Sequence, residues 1–329
     1  MKFISTPQNG MSWNGQLLYS FTTESAEPMD VPVKIYDFAT RELIAEKMLY
    51  GVTEATIDIA PYVRSICNST ITPSYTHQLV ASPTSKIVVV EVGKVRSACH
   101  LVAPEMLDIS QPKMLSEIST EGEYRRSDSM YSYGDKILLS FFTPEKSVVE
   151  IVAYSLMGVR QHRLEWEGAP QPLDLTINTL MFPMSTSEIK VNIYSANKLI
   201  QRLNFKLTKD AQEGRRFCWR NALGGIESYL FPHSLRLVDA AKMREFQTLG
   251  GVVARLVRAE RRSRISSFLD SSEELERLKG IMRAEQVYEM ARAALSPIRL
   301  ENRTIEYGTH GEIRQIVLEV CEEWKGGEL

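Results

Sequence analysis

Seven strand-like segments fall within the first hundred or so residues, and that density leaves few folds open to the chain. Leu17–Thr22 is apolar and aromatic, and Val31–Asp37 alternates, with Val31, Val33 and Ile35 on one face. Leu43–Leu49, Ala55–Ile59, His77–Ala81, Ile87–Val92 and Ala98–Val102 follow, with turn-forming residues between them. No helix-period segment of useful length interrupts the series. Strands this short and this closely spaced predict a β-sandwich or barrel.

The polar stretch 105–129 reads as a linker. The strand pattern then repeats in order. Ile137–Thr143 echoes Leu17–Thr22, Val148–Tyr154 echoes Val31–Asp37, and Ile189–Tyr194 echoes Ile87–Val92. Leu173-Asp174-Leu175 echoes Ile57-Asp58-Ile59. The reading is of two sandwiches of one kind, 1–104 and 130–209; the alternative is two unrelated all-β domains. Residues 210–329 read as an α+β domain with antiparallel strands and one or two helices. Its strand candidates are Arg216–Arg220, Ile226–Phe231, Leu235–Met243, Val252–Ala259, Arg264–Leu269, Ile298–Tyr307 and Glu312–Val320. Ser271 and Glu274 form a capping box ahead of Leu275, Leu278 and Met282, which share a helix face. Gly280 weakens that helix near its end. The expected fold class is therefore mainly β: two tandem β-sandwiches followed by an α+β domain.

Chemistry is scarce. The 329 residues carry 39 basic and 41 acidic side chains, a net charge of −2, so bulk charge gives no reason to expect nucleic acid. No apolar run is long enough to span a membrane, and residues 1–10 lack the apolar segment of a secretion signal. Cys67, Cys99, Cys218 and Cys321 form no CxxC pair and read as buried free thiols in a reducing compartment. No two of the five histidines pair at metal-ligand spacing, and no nucleotide-binding or nucleophile-elbow motif occurs. Asp58 and Asp174 resemble an acid pair, but alternation assigns each to the solvent face of its strand. No catalytic residue, cofactor or metal is expected.

Two segments stand out. Phe217 and Trp219 share a face of one strand and Tyr229 and Phe231 a face of the next, joined by Asn221–Gly225. Gly224 and Gly225 are expected to supply positive φ, and Asn221 to bond local backbone. This hairpin reads as structural core rather than as a carbohydrate or base platform. Between Arg236 and Arg264 lie eight basic residues and three acids, net +5. Arg255, Arg258, Arg261, Arg262 and Arg264 are the candidate contact surface. With no nucleic-acid-binding motif in view, a solvated face or a protein interface is the expectation.

The hairpin, with Trp219, Asn221, Gly224-Gly225, Glu227, Tyr229 and Phe231, resembles a signature found in proteins of phages and prophages of Bacteroides-type bacteria. The resemblance extends to Val33–Asp37, to a strand like Thr56–Val63, and to a capped helix at Ser271–Met282. It covers three patches rather than the whole chain. Ala222-Leu223 and the arginine-rich stretch depart from the pattern. The resemblance implies a non-enzymatic phage-tail or baseplate component. Such a protein would be made in the bacterial cytoplasm and carried in the virion, would form homo-oligomers, and would join other tail proteins but no membrane. The other reading is an adhesin-like module with fibronectin-like repeats that binds glycans or proteins.

Overall fold

The structure is a computed structural model that describes residues 1–117, 129–209, 213–248, 250–269, 272–291, 294–302 and 314–323. Two sandwiches of the same strand order are followed by a rolled sheet packed on a helix. The first third holds β1 (Lys2–Ser5), β2 (Met11–Ser12), β3 (Leu18–Thr22), β4 (Met29–Asp37), β5 (Leu43–Val52), β6 (Glu54–Asp58), α1 (Ala60–Ile66), β7 (Gln78–Ala81), β8 (Lys86–Val92), β9 (Val95–Arg96) and β10 (His100–Ala103). Sheet β1-β3-β6 faces sheet β2-β10-β8-β4-β5, in which β2 runs parallel to β10. Alternation does the folding here: Val31, Val33 and Ile35 of β4 are buried with Tyr19, Phe21, Ile57, Val88 and Val90.

The middle third contributes β11 (Lys113–Met114), β12 (Met130–Ser132), β13 (Lys136–Phe142), β14 (Ser147–Ser155), β15 (Gly158–Trp166), β16 (Leu173–Asn178), β17 (Thr186–Ser195) and β18 (Lys198–Thr208). Its sheets run β11-β13-β16-β7 and β12-β18-β17-β14-β15, again with a parallel edge strand, β12 on β18. Apart from the short β9, which pairs with β8 and has no counterpart, this is the first sandwich repeated, with one addition. β7 leaves the first third of the chain and pairs with β16, Leu173 opposite Ala81 and Thr176 opposite Gln78. The two sandwiches are thus joined by main-chain hydrogen bonds. The segment expected as a linker also takes part, because β11 pairs with β13.

The last third forms a seven-stranded antiparallel sheet, β20-β19-β23-β24-β25-β22-β21. Its members are β19 (Arg215–Arg220), β20 (Ile226–Phe231), β21 (His233–Thr248), β22 (Gly251–Leu269), β23 (Val287–Ala291), β24 (Ala294–Asn302) and β25 (Arg314–Glu323). The three expected strands between Leu235 and Leu269 are two long ones. Helix α2 (Ser272–Arg283) buries Leu275, Leu278 and Ile281, while Met282 is only partly covered. Ser271 lies outside the described residues. Glu274 is buried, and its carboxylate accepts a hydrogen bond from the Tyr229 hydroxyl at 3.1 Å.

The sequence also concealed a short helix. The strand read through Val63 stops at Asp58, whose Oδ1 accepts from the amide of Ala60 at 3.0 Å, and Pro61 sits in the first turn of α1. Asn178 plays the same part in the second sandwich, accepting from the amide of Leu180 at 3.1 Å ahead of the 3-10 turn Thr179–Met181. Asp58 therefore corresponds to Asn178, not to Asp174. The register agrees, since Leu18 opposes Asp58 and Lys136 opposes Asn178.

Candidate functional site

The hairpin β19–β20 lies where the three parts of the chain meet. One face carries Phe217, Trp219, Tyr229 and Phe231, each at most 2% exposed, packed with Ile265, Leu278 and Leu318. A platform for sugars or bases is not available at these rings. The other face of the hairpin sits on β13, with Cys218 and Ile226 against Leu138 and Ile71. Gly280 serves this packing: a Cβ there would stand 3.3 Å from the Trp219 indole nitrogen.

The Asn221–Gly225 connection is held from several sides. Asn221 Oδ1 accepts from the Gly225 amide at 2.9 Å, and its Nδ2 donates to Leu115 O and to Glu227 Oε1, both at 2.7 Å. Only Gly224 has positive φ, +82°. The demand on both glycines is also steric. A Cβ on Gly224 would come within 2.5 Å of Thr84 Oγ1, and one on Gly225 within 2.1 Å of Leu115 O. The loop is pressed against the first sandwich and against the connecting segment.

Arg220 bonds to all three parts. Its Nη2 donates to Asp174 Oδ2 at 2.6 Å and to Thr70 O at 3.1 Å; its Nη1 donates to Gly224 O at 2.8 Å, Ser82 Oγ at 3.2 Å and Asp174 Oδ1 at 3.3 Å. Ser140 Oγ donates to Asp174 Oδ1 at 2.7 Å and accepts from the Ile226 amide at 3.0 Å. Both charged side chains are under 10% exposed. This corrects the sequence reading of Asp174: all six residues of β16 are buried, and Arg220 of β19 lies on the face that carries Asp174. Nearby, Glu227 is buried, and burial pushes its carboxyl up to about 8, although the Arg277 guanidinium 3.9 Å away opposes the shift. The Glu117 amide donates to its Oε1 at 2.8 Å. An open cleft of about 350 Å³ borders the junction, lined by Trp13, Asn14, Asn221, Arg277 and Arg283 among others.

His77 caps the strand that joins the sandwiches. Its ring meets His162 edge-to-face and Phe182 at a tilt of 31°, with centroids 4.7 Å away in both cases, and its Nδ1 accepts from the Asn178 amide at 3.3 Å. Burial lowers it to about 4. Among the described residues no group of three or more His, Cys, Asp or Glu is placed to hold a metal ion, and no helix is long and apolar enough to cross a membrane. All four cysteines are free. Cys218 and Cys321 are buried, Cys67 is half-buried, and Cys99, expected inside, is exposed.

β21 and β22 form a long ribbon. β25 pairs with β22 only from Glu260 to Leu269, so beyond that point β21 and β22 pair with each other alone among the described strands. The side chains of Arg255, Arg258 and Arg261 lie outside the described residues. Arg262 is ion-paired with Glu301 at 3.2 Å, and Arg264 opposes Glu319 in the register.

No family model matches the chain, and no curated protein does. Solved structures similar to it are β-sandwich domains. The CBD12 region of CALX1.2 is 12% identical, over 59% of this chain and 80% of that one, with a TM-score of 0.19. A structure from a study of host cell surface retention by a 1.5-MDa bacterial ice-binding adhesin is 8% identical, over 75% and 90%, with a TM-score of 0.18. Domains FN1–FN3 of chicken CNTN1 are 7% identical, over 96% of each chain, with a TM-score of 0.19.

Proposed function

We propose that this chain is a non-enzymatic structural component of the kind that builds a phage tail or baseplate, working through the fixed geometry of its parts. The observation that carries the reading is the Arg220 junction. One guanidinium bonds backbone or side chains from the first sandwich, the second sandwich and the C-terminal sheet. Together with the strand shared at β7, it favours one stiff body over modules on flexible tethers. A stiff body can hold the β21–β22 arm at a fixed angle, so that copies close into a ring or seat on a neighbouring tail protein. Sedimentation at several concentrations, alone and mixed with tail proteins, tests this. Concentration-dependent assembly that is lost when the arm tip is deleted is the expected result. A strict monomer that joins no tail protein overturns it.

Tandem sandwiches also suit a binding module of the adhesin kind. One observation favours that reading: among the described residues the outer positions of β3 and β6 are not buried, with Leu18 41% exposed. Its glycan form loses the Trp219 platform, since that ring is buried. Glycan-array binding that survives deletion of the arm would select it.

A further inference from the structure

Turn residues are ordinarily polar, and three turns at one end of the second sandwich are not. β14 and β15 join at Leu156-Met157, where Ser155 opposes Gly158. Ser155 shapes that turn: its Oγ accepts from the Met157 amide at 3.2 Å and donates to Gly158 O at 2.8 Å. Neither Leu156 nor Met157 is needed to hold the turn, yet they are 88% and 82% exposed. The corresponding turn of the first sandwich, residues 38–42, includes Arg41 and Glu42. Thr186 also opposes Ser155, which puts residues 179–185 beside the hairpin tip. There Phe182 turns inward against His77 and His162, while Leu180, Met181 and Met184 are exposed. Tyr75 adjoins them: its carbonyl accepts from Asn178 Nδ2 at 2.7 Å, and the residue is 84% exposed. Not one of residues 73–76, 155–158 and 179–185 is charged. Asp135 and Lys136 border the patch, but Asp135 accepts from the Ser132 amide at 3.0 Å and the Lys136 ammonium lies against the Tyr75 ring.

Taking about 200 Å² for a fully exposed large side chain, the six apolar residues present about 800 Å². The largest apolar patch on an ordinary monomer is about 300–600 Å². Each partner in a stable interface contributes about 800 Å². Charge then selects among occupants. A lipid headgroup layer, or an acidic or basic protein, is met by charge of opposite sign, and these turns carry none. In a two-fold contact every group near the axis meets its own copy, so a charged patch repels itself and an uncharged one does not. Interfaces between identical subunits are also the more apolar kind, rich in Met and aromatic residues and poor in Lys and Glu. We infer that this end of the second sandwich forms a two-fold contact with a second copy of the chain, made by Tyr75, Leu156, Met157, Leu180, Met181 and Met184 of each. The contact is separate from the β21–β22 arm, and it adds to the assembly reading without resting on it.

Sedimentation equilibrium of the full chain up to about 100 μM tests it, and the dimer should have a micromolar or tighter dissociation constant. Leu156→Asp combined with Met157→Asp should weaken it by at least about 100-fold, because each copy then brings two carboxylates to the contact. Met184→Asp, on the neighbouring turn, should weaken it by about tenfold. All three positions are exposed, so the urea midpoints should match that of the wild type. Val253→Asp at the arm tip should leave the constant unchanged. Raising salt from about 0.05 to 0.5 M should not weaken the wild-type dimer, since no ion pair is screened. A wild type that stays monomeric to about 100 μM overturns the inference, as does a dimer indifferent to the turn variants. Equal loss with Val253→Asp and with the turn variants also overturns it and assigns the patch to the arm tip of another copy. Flotation of a monomer with phosphatidylcholine vesicles, lost in the double variant, assigns it to a lipid surface instead. A dimer that meets these expectations but joins no tail protein leaves this contact standing and tells against the tail reading alone.

Discussion

The two sandwiches share a strand order but differ in what lies on one sheet. Outward positions of β3 and β6 in the first are Leu18, Ser20, Glu54 and Thr56, none of them buried. The corresponding positions of β13 and β16 are Lys136, Leu138, Asp174 and Thr176, all buried. The inner faces hardly differ: Tyr19 and Phe21 correspond to Ile137 and Leu139, and all four are at most 1% exposed. One architecture therefore supports either a solvated exterior or the middle layer of a larger body. The switch lies in the outward residues alone. The covered face has Leu138 where the open one has Ser20, and its acid, Asp174 in the place of Glu54, meets an arginine from β19.

The largest expected effect sets Asp174 against Glu54, which holds the corresponding place in the bare sheet. Removing Asp174 leaves the Arg220 guanidinium buried and without its counter-charge, at a cost of about 3–5 kcal/mol. Asp174→Ala should lower the urea midpoint by that equivalent, while Glu54→Ala should change stability by less than about 0.5 kcal/mol. Equal effects at the two sites would mean that the covered face contributes nothing specific.

A smaller effect appears as a pH dependence that only the covered side can produce. The Glu227 carboxyl is raised from its ordinary 4.5 to about 8 by burial. In the unfolded chain it ionises near 4.5, so the folded state binds the extra proton between the two values. Its contribution is therefore complete below about pH 4.5 and is lost as the pH climbs through 8. Glu227→Gln keeps an acceptor for Asn221 and for the Glu117 amide, and stability measured from pH 4.5 to 8 should fall less steeply in the variant. His77 acts in the opposite sense. Lowered from 6.5 to about 4, it contributes above pH 6.5 and that contribution is lost on acidification through 4, so the Glu227 slope is cleanest above pH 6.5.

Much of this was legible in the sequence. Alternation in Val31–Ile35 and the recurrence of strands in order give both inner faces, because a half-buried strand writes its core side at every second residue. The run Ile137–Phe142, apolar at five of six places, already carried the mark of a strand buried on both sides. Asp174 was assigned to solvent because alternation says which face a residue takes and not what will cover that face. β15 and β18 escaped notice because their outward positions are densely charged. The strand at His77–Ala81 was visible, but its partner, about a hundred residues on, was not. The aromatic hairpin could be read as core, whereas the junction at Arg220 depends on contacts from three distant segments.

The smallest effect tests whether the bare sheet is bare by composition or by position. Leu18 and Lys136 correspond, and the pairing is unexpected: the apolar residue is 41% exposed and the lysine 2%. Lys136 is accommodated because its stem is enclosed while its ammonium rests 4.7 Å from the centre of the Tyr75 ring, on the segment that leads into β7. A cation–π contact of this kind is worth about 0.5–2 kcal/mol, and a leucine in its place would recover a similar amount by burying apolar surface. Lys136→Leu should therefore shift stability by no more than about 1 kcal/mol, and Leu18→Lys, on an open face, by less than about 0.5 kcal/mol. The informative comparison is between those two numbers and the salt dependence. Only Lys136 holds its charge against a ring contributed by the other sandwich, so thermal melts at low and high salt should converge for Leu18→Lys and wild type. If Leu18→Lys instead destabilised the chain as strongly as Asp174→Ala, the outer face of β3 would have to be covered in solution. The contrast between the two sandwiches would then be one of partners rather than of sequence.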